Sequence, residues 1–334
     1  MKVFITGATG YVGHNLARAV ARQGHTVHIL ARDPNSASIP VHPAIHVFRG
    51  DITNKASLIP AIQGCQQVYH TAALVRHVAN KRSVFYDINV EGTRNMLNAA
   101  VESGVEKFVF TSTCGVLGPS VKEPRTESDP RITGFASDYD LSKFLAEKLV
   151  IEYATNGLHT VITSPAKVFG PGIDSHPISV NTVIKRFISG KPTFCPHPTG
   201  YVSNYVFIDD LVWGHMLAME NGRNGEKYIL GGENLSYVEF FRIVRDVAGN
   251  GALLIPAPKF IARLYGHWHV LQSKLTGKEP VFNADGVKHI YCNKSFSSEK
   301  AINELGYSIT PFIKAIQATI HFLKPGLCVL PAIQ

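Results

Sequence analysis

A glycine-rich turn between the first strand and the first helix constrains the fold of this chain more than any other feature. The segment FITGATGYVGHNLA places Gly7, Gly10 and Gly13 between an apolar run and a helical pattern. In such a turn one glycine permits a sharp bend, another lets the backbone approach a pyrophosphate, and a third lets the helix pack closely on the strand. The spacing is GxxGxxG rather than the commoner GxGxxG. Its position after the first strand nevertheless predicts a dinucleotide-binding turn, with an ordinary tight turn as the alternative.

The first half of the chain alternates short apolar strands with helical segments. KVFITG, TVHILAR, AIHVFRGD, CQQVYHTAA and KFVFTST read as strands, and helical patterns separate most of them, among them KASLIPAIQG and the long segment VFYDINVEGTRNMLNAAVESG over 84–104. This alternation predicts an α/β fold with a Rossmann-type, doubly wound parallel sheet covered on both faces. After residue 172 the regular alternation of strands and helices is lost. We therefore predict a dinucleotide-binding domain over residues 1–172 and a smaller, partly interleaved substrate-binding lobe over 173–334, with residues 201–220 returning to the first domain.

Composition narrows the possible partners. The 334 residues carry a formal charge of +8, which suits an anionic ligand, but no dense basic run with interleaved aromatics predicts nucleic-acid binding. The five cysteines are scattered without CxxC spacing, and no HExxH pattern occurs, so we predict no metal site and a reducing, cytoplasmic location. The N-terminal MKVFITGATG has no signal-like core, and no apolar run approaches the ~20 residues that span a bilayer.

Two positions bear on the choice of cofactor. An acidic residue at the end of the second strand would hold a ribose hydroxyl, but this chain has Arg32 there. Because a guanidinium suits a 2′-phosphate, Arg32 favours NADP(H), with NAD(H) as the alternative if Arg32 pairs with Asp33. Asp51, after the third strand, could accept a hydrogen bond from an adenine amino group or could cap the next helix.

The segment SDYDLSKFLAEK, residues 137–148, places Tyr139 and Lys143 four residues apart on a predicted helix. On a helix they share one face. They are either two surface residues that happen to align, or a phenol whose pKa a neighbouring ammonium lowers toward working pH.

Together these motifs resemble the extended short-chain dehydrogenase/reductase superfamily. TGATGYVG, GDITN, HTAA, NVEGT, FTST, the Tyr139–Lys143 pair and SPAKVFGPG appear in that family's order over residues 1–172, and NYVFIDDLVWGHMLA extends the likeness. Within the superfamily, EKYILGGENLS and SKFLAEKLV are most similar to the dihydroflavonol-reductase and hopanoid-associated epimerase-like branch.

The resemblance implies roles for the matching positions. Tyr139 would be the general acid/base, and Lys143 would lower its pKa and hold the nicotinamide ribose. Thr113 would supply the family's serine hydroxyl, with Ser112 as the fallback, and Asn89 would help to hold a proton-relay water. The implied cofactor-binding residues are Gly7, Thr9, Gly10, Tyr11, Val12, Gly13, Arg32, Asp51, Ile52, Thr71, Ala72, Ala73, Tyr139, Lys143, Pro165 and Val168.

The predicted function is an NADP(H)-dependent reductase or dehydrogenase of a carbonyl/alcohol pair on a small, moderately hydrophobic substrate. Related sugar-nucleotide enzymes carry an arginine where this chain has Ser203, and related dehydratases carry an acidic pair after the catalytic hydroxyl, which CGVLGP lacks. The alternatives are an NAD(P)-dependent epimerase of a nucleotide-linked or lipid-linked sugar and a non-catalytic NADP-sensing protein.

The segment 258–275 leaves further alternatives open. Phe260, Leu264, Trp268 and Leu271 recur at helical spacing, which is typical of a helix packed on its own core. A lid over a lipophilic substrate or a membrane-contacting surface would show the same pattern. The family resemblance also implies a homodimer through the helices at 84–103 and 139–153.

Overall fold

A seven-stranded parallel sheet forms the centre of the computed structural model, which describes residues 1–75, 81–173, 179–276, 287 and 290–325. Its strands are β1 (Lys2–Thr6), β2 (Thr26–Ala31), β3 (Ile45–Arg49), β4 (Gln67–His70), β5 (Lys107–Thr111), β6 (His159–Pro165) and β10 (Lys227–Leu230). Their order in the sheet is β10-β6-β5-β4-β1-β2-β3. The order reverses between β1 and β4, where a doubly wound sheet opens a crevice at the carboxyl ends of its strands. The predicted Rossmann-type fold is confirmed.

Helices cover both faces of this sheet, as buried parallel strands require. One apolar core joins the sheet to α1 (Tyr11–Arg22) and α7 (Ile208–Asn221). The other joins it to α2 (Ile59–Ile62), α4 (Gly92–Glu102) and α5 (Asp138–Thr155).

Two predicted helices differ in detail from the structure. The segment KASLIPAIQG forms a 3₁₀ turn, Lys55–Ser57, and the four-residue α2, because Pro60 near the helix start cannot donate a backbone hydrogen bond. The long helix predicted over 84–104 is α3 (Ser83–Tyr86) joined to α4 through a π-helical segment, Asp87–Glu91. Side-chain periodicity does not reveal the extra residue of a π segment, and such segments are frequent at functional sites.

The remaining elements form a second layer beside the carboxyl edge of the sheet. One small sheet has the order β11-β9-β7, and another pairs β12 with β8. These elements are β7 (Lys167–Phe169), α6 (Val180–Ile188), β8 (Thr193–His197), β9 (Val202–Phe207), β11 (Glu233–Ser236), α8 (Tyr237–Ala248), β12 (Leu254–Pro258), α9 (Lys259–Thr276), α10 (Glu299–Leu305) and α11 (Phe312–Leu323). We keep the division at residue 172 as a proposal. The contacts of α7 with α1 and the pairing of β10 with β6 agree with a lobe that is interleaved with the first domain.

The apolar stripe of α9 does not pack on a core. Phe260, Leu264 and Trp268 are exposed to 64%, 65% and 63%. The interpretation as a core-facing stripe is therefore wrong for these three residues, and the side chain of Leu271 lies outside the described residues. Instead, α9 turns Ile261 and Tyr265 toward a cavity that is described below.

Candidate active site

The glycine turn places backbone N–H groups at the crevice of the main sheet. Gly7 has φ +76°, a conformation that favours glycine, and the N–H of Gly10 donates to its carbonyl at 2.9 Å. A Cβ on Gly13 would lie 2.4 Å from the Gly7 oxygen and 2.6 Å from Thr71 Oγ1. No side chain caps α1, so the N–H groups of its first turn remain available to an anion. Because no side chain lies between the strand and the start of the helix, a pyrophosphate could approach these backbone N–H groups closely.

The loop after β4 forms the opposite wall of the crevice. Thr71 Oγ1 donates to the Thr6 carbonyl at 2.7 Å, and the Ala72 N–H donates to Thr6 Oγ1 at 3.3 Å. A Cβ on Gly7 would lie 2.7 Å from the Ala72 nitrogen. These contacts hold the backbone at the end of β1 directly against the loop after β4. The half-buried Ala73 follows in the same loop.

Arg32 follows the last residue of β2, at the carboxyl edge of the sheet beside the glycine turn. Its side chain is exposed. The pairing with Asp33 that would have weakened the NADP prediction is not formed in the described part of the chain. Instead, Asp33 Oδ1 accepts a hydrogen bond from the Asn35 N–H at 3.0 Å. The guanidinium is thus available to a phosphate.

Asp51 and Ile52 occupy the loop after β3. Asp51 Oδ1 accepts hydrogen bonds from the N–H and the hydroxyl of Thr53, at 2.9 and 2.8 Å, so this oxygen stabilises its own loop. The Ile52 side chain is buried against Gly92, and its carbonyl accepts a hydrogen bond from Asn95 at 2.9 Å. These contacts fix the loop at the end of the crevice where we predicted adenine to bind.

Tyr139 and Thr113 lie together, and both line one cavity. Tyr139 stands in the first turn of α5, whose N-cap Ser137 accepts a hydrogen bond from the Asp140 N–H. Burial and the neighbouring Asp140 charge raise the pKa of the Tyr139 phenol, whereas the nearby Thr113 side chain lowers it. The sequence predicted that Lys143 would lower this pKa. In the structure desolvation dominates, so Tyr139 carries its proton at neutral pH.

Lys143 lies one turn further along α5 and is 1% exposed. Its Nζ stands 3.9 Å from the centroid of the Phe110 ring. Burial lowers the pKa of this ammonium to about 7, although Glu147 opposes the shift. Within the described residues its Nζ forms no hydrogen bond. A buried cation without hydrogen-bond acceptors fits a ligand that brings hydroxyl oxygens, such as a ribose.

Asn89 lies in the π-helical segment and is 1% exposed. Its Oδ1 accepts from the Leu74 N–H at 2.7 Å, and its Nδ2 donates to Ser142 Oγ at 2.9 Å. Ser142 Oγ in turn donates to the Tyr139 carbonyl at 2.8 Å. These bonds connect the loop after β4 to the helix of Tyr139. They make Asn89 a positioning residue in this structure, whereas its relay role stays a prediction.

The other predicted cofactor residues lie on either side of the crevice. Thr9 and Val12 flank the start of α1, and Tyr11 OH donates to the Gly170 carbonyl at 2.6 Å, which ties the glycine turn to the second layer. Pro165 ends β6 and lines the cavity, and Val168 is half-buried in β7. Ser112, the fallback for Thr113, is buried away from the cavity, which favours Thr113 as the substrate-facing hydroxyl.

The cavity beside Tyr139 has a volume of about 560 Å³ and mostly apolar walls. Its apolar lining includes Pro165, Ala166, Val180, Val183, Phe194, Phe240, Phe241, Ala257, Ile261 and Phe296. These residues come from β6 and the position after it, from α6, β8, α8, β12 and α9, and from the segment before α10. The shape and polarity suit a small hydrophobic molecule.

Two lysines in this cavity were missed by sequence reasoning. Lys167 and Lys294 both line it, together with Asp140. The signal for Lys167 was visible in SPAKVFGPG, where a lysine interrupts an otherwise apolar strand. Lys294 is near Asp140 in space only, and 154 positions separate them in the chain.

The comparisons with known proteins agree with this geometry. A model of the NAD dependent epimerase/dehydratase family matches residues 3–231. The chain belongs to this family. It is 30% identical to a putative dihydroflavonol 4-reductase of Synechocystis, over 96% of this chain and 94% of that protein. It is 28% identical to a 3-beta-hydroxysteroid dehydrogenase of Mycolicibacterium neoaurum, over 92% of this chain and 86% of that protein.

The solved structures show the same fold. The crystal structure of a protein called gox2253 has a TM-score of 0.78 and 31% identity, and the match covers 96% of this chain and 97% of that one. The resemblance to the extended short-chain dehydrogenase/reductase superfamily is thereby confirmed. The protein is an enzyme, an NAD(P)-dependent oxidoreductase acting on CH–OH and C=O groups. Among the described residues no helix is long and apolar enough to cross a membrane.

Proposed function

We propose that the protein is an NADP(H)-dependent reductase or dehydrogenase that interconverts a carbonyl and an alcohol on a small, moderately hydrophobic molecule. One observation carries this proposal: Thr113 and Tyr139 both line a largely apolar cavity of about 560 Å³, and the Thr113 hydroxyl is close enough to act on the pKa of the Tyr139 phenol. The exposed Arg32 beside the glycine turn supports the preference for NADP(H) over NAD(H).

In the direction of reduction, the Tyr139 hydroxyl donates its proton to the substrate oxygen, and the Thr113 hydroxyl holds the same oxygen in place. A nicotinamide cofactor held in the crevice would supply a hydride for the substrate carbon, and this hydride together with the Tyr139 proton would account for the conversion of C=O into CH–OH. The glycine turn and Arg32 would hold the phosphates, and Lys143 would hold the nicotinamide ribose. Because burial raises the pKa of Tyr139, the phenol carries the proton to be transferred at neutral pH.

The decisive experiment follows the absorbance of NADPH with a panel of hydrophobic aldehydes and ketones, flavonoid-like compounds and sterols. Net oxidation of NADPH by at least one ketone is the expected result. Turnover of a UDP-sugar without net consumption of the cofactor would establish the epimerase alternative. Binding of NADPH with neither reaction would contradict the proposed substrate class.

The homodimer through residues 84–103 and 139–153 stays a prediction. Light scattering of the purified protein with NADPH tests it, and a mass of one chain would contradict it.

A further inference from the structure

The positive charge of Lys167 is the least explained feature of the cavity. Its Nζ donates to Ser203 Oγ at 2.8 Å and to Tyr237 OH at 3.1 Å. It also lies 5.5 and 5.1 Å from the ring centroids of Tyr205 and Tyr237. None of these partners is a carboxylate. An ammonium taken out of water is costly unless a charge of opposite sign accompanies it.

The charges in the cavity wall do not balance. Among the described lining residues, the charged groups are Lys167, Lys294 and Asp140. Burial lowers the pKa of Lys294, and the negative charge of the neighbouring Asp140 opposes this shift. No carboxylate in the described part of the chain forms a salt bridge with Lys167. One positive charge in the wall is therefore left over.

The part of the cavity formed by Lys167 and Tyr237 also has more hydrogen-bond donors than acceptors. An ammonium has three N–H donors, and two of those of Lys167 have partners within the described residues. The Tyr237 hydroxyl accepts from Lys167, and its own hydrogen has no acceptor in that same part of the chain. A ligand that occupies this part of the cavity thus meets one ammonium hydrogen and one phenol hydrogen, which together match the two oxygens of a carboxylate.

We propose that Lys167 and Tyr237 bind a carboxylate of the substrate, so that the enzyme acts on hydrophobic acids rather than on neutral molecules. The inference rests on the proposed function and specifies its substrate class. A single surplus charge matches a carboxylate, whereas a phosphate monoester carries a charge of about −1.5 to −2 at neutral pH. Lys167 acts here as a specificity residue, apart from the proton transfer at Tyr139.

The test measures binding, so it does not depend on turnover. Calorimetry in the presence of NADPH compares an acid with its primary amide in three matched pairs, built on cyclohexane, naphthalene and a steroid nucleus. The wild-type protein should bind the acid of at least one pair about tenfold or more tightly than the amide, as expected for charge-assisted hydrogen bonds. Lys167→Met should abolish this preference, and Lys167→Arg should retain part of it.

Two controls separate charge recognition from a general defect. Lys191→Met removes an exposed lysine of the same charge and should leave the preference unchanged. The melting temperature and the affinity for NADPH show whether Lys167→Met is folded; if it is not, the loss of preference must be seen in Tyr237→Phe. The proposal is overturned if no pair shows a preference for the acid, if a phosphate ester is preferred, or if folded Lys167→Met keeps the preference. A Tyr139→Phe variant that kept full turnover would instead refute the proposed function and leave the carboxylate result intact.

Discussion

The dinucleotide crevice and the substrate cavity are built in contrasting ways. The crevice uses backbone N–H groups, glycines and short side chains within a few residues of the ends of β1, β2 and β4. The cavity is lined by side chains between Thr113 and Phe296 that come from many elements and are not neighbours in the chain. Local backbone geometry therefore determines the crevice, whereas long-range packing determines the cavity. Mutations in the crevice should consequently change cofactor binding and choice, whereas mutations at the cavity should change turnover and substrate binding.

The largest effect is expected at the meeting point of the two regions. Tyr139→Phe removes the proton donor but keeps the ring, so kcat should fall by about 10²–10⁴-fold while the affinity for NADPH is retained. Steady-state kinetics with a ketone that the wild-type protein reduces gives kcat. Tyr153→Phe in the same helix, where the hydroxyl contacts Asn98 at 2.5 Å, should leave kcat unchanged. Near-normal kcat in Tyr139→Phe would show that another group transfers the proton.

A glycine substitution tests whether close backbone packing determines the crevice. In Gly13→Ala the new Cβ would lie 2.4 Å from the Gly7 oxygen, so the turn must shift. The free energy of unfolding should fall by about 1–3 kcal/mol, and NADPH binding should weaken. Chemical denaturation and fluorescence titration measure the two changes. Gly134→Ala, where a Cβ would meet no heavy atom within 4 Å, is the matched control and should change neither.

Cofactor choice should depend on one exposed side chain of the crevice. Arg32→Gln removes the guanidinium that we place against the 2′-phosphate, so the preference for NADPH over NADH should fall about tenfold. The ratio of kcat/KM for the two cofactors measures it. Arg94→Gln, which removes an exposed arginine paired with Glu91, should leave the ratio unchanged. An unaltered ratio in Arg32→Gln would favour NAD(H) as the cofactor.

The last effect appears only as a pH dependence of stability, and it concerns the buried ammonium beside the crevice. Lys143 has a folded-state pKa of about 7, whereas in the unfolded chain it lies near ~10.4. Between these values unfolding takes up a proton, so the stability of the cofactor-free protein should rise with pH by about 1.4 kcal/mol per unit from this group. Below the lower value both states are protonated, and this contribution to the slope vanishes.

Urea denaturation over this pH range tests the prediction about Lys143. Lys143→Met should show a shallower rise of the unfolding free energy with pH than the wild-type protein. Lys148→Met, which removes an exposed lysine of the same helix, should reproduce the wild-type slope. Equal slopes for wild type and Lys143→Met would mean that Lys143 keeps an ordinary pKa in the folded protein.

Sequence reasoning succeeded where a feature is local. The sheet, the glycine turn after β1 and the helix of Tyr139 were predictable because hydrophobic periodicity and glycine spacing act over a few residues. It failed to predict the π-helical segment around Asn89. It also predicted a lowered pKa for Tyr139, whereas burial raises that pKa in the structure. Both depend on what packs around those residues. The exposure of Phe260, Leu264 and Trp268 is a third example, since periodicity shows that residues share a face but not what that face meets.

The sequence alone determined the fold class, the family, the dinucleotide turn and the candidate Thr113, Tyr139 and Lys143 set. Each of these is specified by a short motif whose geometry follows from the backbone. Only the tertiary structure decided that Lys167 and Lys294 share a cavity with Tyr139, and that, within the part of the chain that the structure describes, Asp140 acts on Lys294 whereas Lys167 has no carboxylate partner. The physical reason is that the energy of a buried charge depends on its distance to other charges in space, and the parts of this chain that meet in the cavity are more than 150 residues apart.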